Sequence, residues 1–145
     1  MKTIELLKDL TQTTYDSVEG YRKAAEAAEK PAFKKAFERR RDTRAQTLEQ
    51  LNNALQANSE APITSASVAG ETHRMFLTIT DTLTQGDDAI IARVEEGESY
   101  LATKFENALA NESSLDASMR LTVRDAFRDI REGERFGAML EKQYA

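Results

Sequence analysis

The sequence predicts an all-α domain of four long helices and one long connection. Three observations carry this. No stretch alternates apolar and polar residues as a half-buried strand would, and no Asn-Gly or Asp-Gly hairpin turn occurs. Only two prolines and six glycines interrupt the chain, and Pro31, Pro62 and Gly86 fall at joints. Apolar residues instead recur at alternating steps of three and four, as on one face of a helix.

The first helix is expected from about Thr3 to Glu29. Its stripe is Ile4, Leu7, Thr11, Thr14, Val18, Tyr21, Ala25 and Ala28, with Tyr15, Glu19 and Arg22 on its flank. Pro31 suits the first turn of the next helix, about Pro31 to Ala57. The second stripe is Phe33, Phe37, Arg41, Arg44, Leu48, Leu51 and Leu55, so two arginines stand where apolar residues are expected. The joint between the two helices is short enough to force antiparallel packing.

Asn, Ser, Ala, Pro and Thr fill Asn58 to Ser67, which reads as a loop. Ser65 or Ser67 is a candidate cap for a shorter helix over Val68 to Leu83. Its apolar set is Val68, Met75, Phe76, Ile79 and Leu83, and it carries the single histidine, His73. Gly86 would close that helix and Asp87 would cap the next one. The third long helix, about Asp88 to Ala110, has the stripe Ile91, Val94, Glu98, Leu101, Phe105 and Leu109. Asn111 to Ser114 forms a tight joint with a serine cap. The last helix, about Leu115 to Tyr144, has Met119, Val123, Ala126/Phe127, Ile130, Glu134, Gly137 and Leu140. Gly133 and Gly137 would let another helix approach closely.

Four helices of about 23 to 30 residues would each run about 35 to 45 Å. The Val68 to Leu83 segment is too short to match them and belongs to a crossover at about 58–86. Hairpin, long crossover, hairpin is the topology of a ferritin-like four-helix bundle. The expectation is one such domain over residues 1–145.

Two carboxylates invade the third stripe, Glu98 within it and Glu95 one turn from Ile91. Carboxylates facing a helical core are costly unless paired, protonated or bound to a cation. Counted from the joints at about 1.5 Å per residue, Glu19 falls level with Arg41 and near Arg44. Glu95 and Glu98 fall near Asp129 and Glu132. The inference is a midplane layer of carboxylates and arginines drawn from all four helices.

Composition narrows the function classes. There is no Cys, so disulfides and thiolate metal sites are excluded. The N-terminus lacks the apolar region of a secretory leader and no run approaches a membrane span, so the expected location is cytoplasmic. A net charge of -5 argues against nucleic-acid binding. Arg39-Arg40-Arg41 with Arg44 is a local exception, interleaved with Glu38, Asp42 and Glu49.

Several stretches resemble a bacterial family of ferritin-like four-helix-bundle proteins catalogued as a domain of unknown function. They are Glu19 to Glu26, Arg44 with Glu49 and Leu51, Leu83 to Asp88, and Glu95 to Glu98. The most specific is Ser67-Val68-Ala69-Gly70-Glu71-Thr72-His73-Arg74. The resemblance implies the ferritin-like fold and no established reaction. The family often has a histidine in the last helix, where this chain has Glu134.

Di-iron bundles use paired Glu-x-x-His motifs, and this chain has none, so a standard di-iron centre is not expected. A more oxygen-rich site would use Glu19, Glu95, Glu98 and Glu132 or Glu134, with His73 reaching in from the crossover. That donor set suits iron, manganese or zinc. The first function reading is therefore a metal-binding bundle in metal handling or stress response. The alternative is a non-enzymatic structural or interaction bundle in which Arg41 and Arg44 neutralise Glu19, Glu95 and Glu98 and fix helix register. His73 would then be a packing residue. No nucleophile, phosphate loop or Ser-His-Asp context points to another enzyme class. Phe136, Met139 and Tyr144 are candidates for a homodimer face, with neither nucleic acid nor membrane as partner.

Overall fold

The computed structural model describes residues 2–82, 84–111 and 115–144, with the side chains of residues 2, 76, 78–80 and 144 left out of the description. Among these residues there are five helices and no strand. They are α1 (Lys2–Ala27), α2 (Pro31–Ala57), α3 (Gly70–Asp81), α4 (Asp87–Ala110) and α5 (Ala117–Tyr144). No helix among them is long and apolar enough to cross a membrane.

The four long helices pack as a ring: α1 on α2, α2 on α5, α5 on α4 and α4 on α1. α3 lies over α1 and α4. Two apolar clusters fill the ring. The one nearer the α1–α2 joint holds Tyr21, Ala24, Phe33, Phe37, Ile90, Ile91, Val94 and Leu140. The other holds Leu7, Leu10, Leu51, Leu55, Leu101, Phe105, Met119, Val123 and Ile130. Thus α2 ends far from the joint and α4 begins beside it, so the crossover travels the bundle's full height.

Direct bonds fix that return. The Asp87 carboxylate accepts from the backbone N–H of Glu29 (2.8 Å) and Lys30 (3.0 Å) at the α1–α2 joint. Asp87 is therefore the first residue of α4, clamping two elements, and Gly86 is the N-cap at a φ of 101°. That left-handed conformation suits glycine.

Other helix ends shift for identifiable reasons. The crossover helix starts at Gly70, because Ser67 turns its N–H and hydroxyl to Asp16 of α1 rather than capping α3. Val68 is consequently 88% exposed rather than part of an apolar set. α5 starts at Ala117 because Asp116 is its cap, accepting from the N–H of Met119 at 2.9 Å. The expected Phe76 and Ile79 contacts, Leu83, the joint residues Glu112, Ser113 and Ser114, and the Tyr144 contact lie outside the described residues.

Two helix faces differ by one position from their expected stripes. In α2 the buried face is Phe33, Phe37, Arg44, Thr47, Leu51 and Leu55, with Arg40 half-buried between them. In α5 Gly133, not Glu134, continues the buried row. The threonines that weaken the α1 stripe sit fully inside. Thr11 and Thr14 donate to the carbonyls of Leu7 (2.7 Å) and Leu10 (2.8 Å), so neither hydroxyl is orphaned.

Candidate functional site

Between the two apolar clusters lies a polar layer fed by every long helix. At its centre is Arg44 of α2, fully buried. Its Nη1 and Nη2 donate to Glu98 Oε1 (2.9 Å) and Oε2 (2.7 Å), a two-pronged pair that uses both carboxylate oxygens. Its Nε donates to Asp129 Oδ2 of α5 at 2.7 Å. Its Nη1 also donates to Ser17 Oγ of α1.

Asp129 is held from three sides. Arg40 Nη2 donates to its Oδ1 at 2.7 Å and to its carbonyl at 3.1 Å. Thr47 Oγ1 donates to its Oδ2 at 2.9 Å. Two guanidinium groups thus balance two carboxylates, and each charged group is bonded, though the buried Arg40 Nε lacks a partner. Such a layer is tolerable in a low-dielectric core only while it is complete.

Glycine makes room for it. A Cβ on Gly133 would fall on Glu98 Oε2 and Arg44 Nη2 and lie 3.0 Å from Arg40 Nη2. A Cβ on Gly137, one turn on, would lie 3.1 Å from the Glu95 Cα. The ring of Tyr21 covers the layer, with its centroid 5.6 Å from the Arg44 guanidinium carbon. Its hydroxyl feels the charge of Arg40 without a hydrogen bond of normal geometry, and burial pushes its pKa up.

Burial alone would raise the Asp129 carboxyl, but Arg44 and Arg40 outweigh it and hold the group below its ordinary value of 3.8. A lowered folded-state pKa stabilises the fold above 3.8, and that contribution disappears as pH falls through the folded-state value. Urea midpoints should therefore drop more steeply between about pH 5 and about pH 3 in the wild type than in Asp129→Asn. Equal slopes would remove Asp129 as a source of acid sensitivity. Asp16 acts in the opposite sense, since burial raises it despite bonds from Ser67 and Gln12. That term is common to both proteins and cancels in the comparison.

The expected ligand residues are dispersed. Glu98 is the only one of the six in the layer. Glu19 is taken by Arg22 on its own helix, Nη2 to Oε1 at 2.7 Å. Glu95 is half-buried against Gly137. Glu132 is exposed and paired with Arg135 at 2.8 Å, and Glu134 is half-buried on α5. His73 donates from Nδ1 to the Ser67 carbonyl at 2.9 Å, which tightens the turn before α3. Among the described residues no group of three or more His, Asp or Glu side chains could hold a metal. Both Glu98 oxygens are bound by Arg44.

The interior arginines are Arg44 and Arg40. Arg41 points outward and pairs with Asp42 at 2.9 Å. Ser17, Thr47 and Asp16 were not foreseen as polar interior residues. Height counting sets Asp129 beside Glu98, and the structure brings it into the layer through Arg44. Beside Glu98 a cavity of about 40 Å³ opens between α1, α3 and α4, lined by Ser17, Gly20, Tyr21, Gly97 and Tyr100 among others. It has room for about two water molecules.

Fold and layer together define an all-helical bundle protein locked at mid-height by a buried, charge-balanced arginine–carboxylate network. The chain belongs to the family described as Domain of unknown function (DUF2383), whose model matches residues 2–111. That match takes in α1 to α4, while Asp129 and Gly133 lie beyond its end. No curated protein and no solved structure matches the chain.

Proposed function

We propose that this chain is a ferritin-like bundle working as a non-enzymatic interaction protein, with the buried arginine–carboxylate layer fixing helix register. The observation that carries this reading is the two-pronged Arg44–Glu98 pair. It occupies the carboxylate that a midplane metal would need. The crossover that returns α4 to the α1–α2 joint supports the ferritin-like topology. The cavity beside Glu98 suits water rather than a substrate, and the layer holds no unbonded carboxylate to act as a base.

Elemental analysis tests this reading directly. Untagged protein is incubated with Fe(II), Mn(II) or Zn(II) and desalted. Retained metal should stay well below one equivalent per chain. Stoichiometric metal, lost in a folded Glu95→Ala/Glu98→Ala variant, would overturn the reading in favour of a carboxylate metal site.

A further inference from the structure

The outer face of α5 is unlike the rest of this acidic chain. Arg124, Arg128, Arg131 and Arg135 are all exposed and follow one another at steps of four, three and four. They form a single row about 16 Å long. Arg124, Arg128, Arg131 and Arg135 line a groove of about 570 Å³ between α2 and α5, with Arg40 beneath them. Of the two carboxylates in that groove, Asp129 is consumed by the interior layer and Glu132 is held by Arg135, while Asp125 on the same helix lies 3.9 Å from Arg128, so the row keeps a net positive charge. Arg131 lies over the Phe127 ring, its guanidinium carbon 5.6 Å from the centroid, which gives the groove an apolar floor.

The same row has an apolar residue at each end. Leu121 is 61% exposed and Met139 is 47% exposed. At helical spacing both fall in line with the arginines, about 27 Å apart. A row of exposed arginines bracketed by exposed apolar side chains matches one chemistry well.

We propose that this face docks an acidic amphipathic helix of another protein. Its carboxylates would meet the four arginines, and apolar residues near its two ends would cover Leu121 and Met139. The proposal deepens the interaction-bundle reading and rests on it. A helix laid in a groove between two helices is a common recognition mode. Other occupants fit this face less well. A symmetric dimer through this face would set arginine against arginine. Nucleic acid would leave Leu121 and Met139 uncovered, and two apolar residues so far apart make no continuous surface for lipid.

The probe is a fluorescein-labelled synthetic helix of about 20 residues, with glutamates at the same four-three-four spacing and a leucine near each end. Fluorescence anisotropy with the intact protein should show saturable binding that weakens as salt rises from about 50 to about 300 mM. Arg124→Gln/Arg128→Gln/Arg131→Gln should keep the wild-type urea midpoint and bind about tenfold more weakly. A peptide of identical composition with scrambled spacing should also bind about tenfold more weakly, because bare charge attraction ignores spacing. The proposal is overturned by equal binding of the scrambled peptide, by an unaffected triple variant, or by absence of binding. It is also overturned if single-stranded DNA or phosphatidylglycerol vesicles use the same arginines more tightly. Absent peptide binding in a metal-free protein would remove this partner while the register reading stands. Stoichiometric metal would remove the register reading whatever the peptide does.

Discussion

Arg44→Leu is expected to destabilise the protein by about 3 to 5 kcal/mol, read as a fall in the urea unfolding midpoint. Arg44 has no exposure to solvent, and Glu98 is nearly as buried. Removing the guanidinium leaves Glu98 inside the bundle with only a 3.5 Å contact from Ser17. Asp129 fares better, because Arg40 and Thr47 still hold it. The cost therefore falls mainly on Glu98. Arg44→Leu/Glu98→Leu should accordingly recover much of the loss, since a hydrophobic pair of similar volume avoids desolvating either charge. A single-mutant cost below about 1 kcal/mol would mean that water reaches the layer and the pair is not buried in solution.

Gly133→Ala should lower stability by about 1 to 3 kcal/mol, against the usual sign for this substitution. Alanine in a helix interior ordinarily gains up to about 1 kcal/mol over glycine. Here the added methyl group lands where Glu98 Oε2 and Arg44 Nη2 meet, so one of them must move and lose its partner. Thermal unfolding of the single variant, and of Gly133→Ala in an Arg44→Leu/Glu98→Leu background, separates the two effects. In that background, with leucines in place of the paired ions, the specific ionic collision is gone and the penalty should shrink. An unchanged penalty would trace the effect to crowding of the α4 and α5 backbones instead.

The all-helical class was legible because the apolar steps of three and four persist through each long helix. The crossover was legible because helix lengths mismatch. The register of α2 was not. Arg39, Arg40 and Arg41 are consecutive and chemically identical, so periodicity alone could not say which one turns inward. Leu48 and Thr47 posed the same problem, and polarity favoured the wrong one, because Thr47 finds Asp129 inside. On α5 the glycine itself hid the stripe. Gly133 carries no side chain to register in an apolar pattern, so Glu134 was read in its place. The six expected ligand residues do not converge for a related reason: spacing puts Glu19 near the midplane, but only contacts reveal that Arg22 already holds it. The bond from Ser67 to Asp16 joins residues far apart in sequence and leaves no local signal.

The layer also divides its charges by hairpin. Both guanidinium groups, Arg40 and Arg44, come from the α1–α2 hairpin, and both carboxylates, Glu98 and Asp129, come from α4 and α5. Neither half can neutralise itself. An isolated α1–α2 hairpin that buried its apolar face would bury two like charges, and an isolated α4–α5 hairpin would do the same with the opposite sign. Partly docked states therefore carry the desolvation cost without the compensating pair. Folding should gain its cooperativity at this seam, with the two halves closing together or not at all. The same segregation sets two copies of one half against each other, so the chain discriminates against pairing of like hairpins from two molecules.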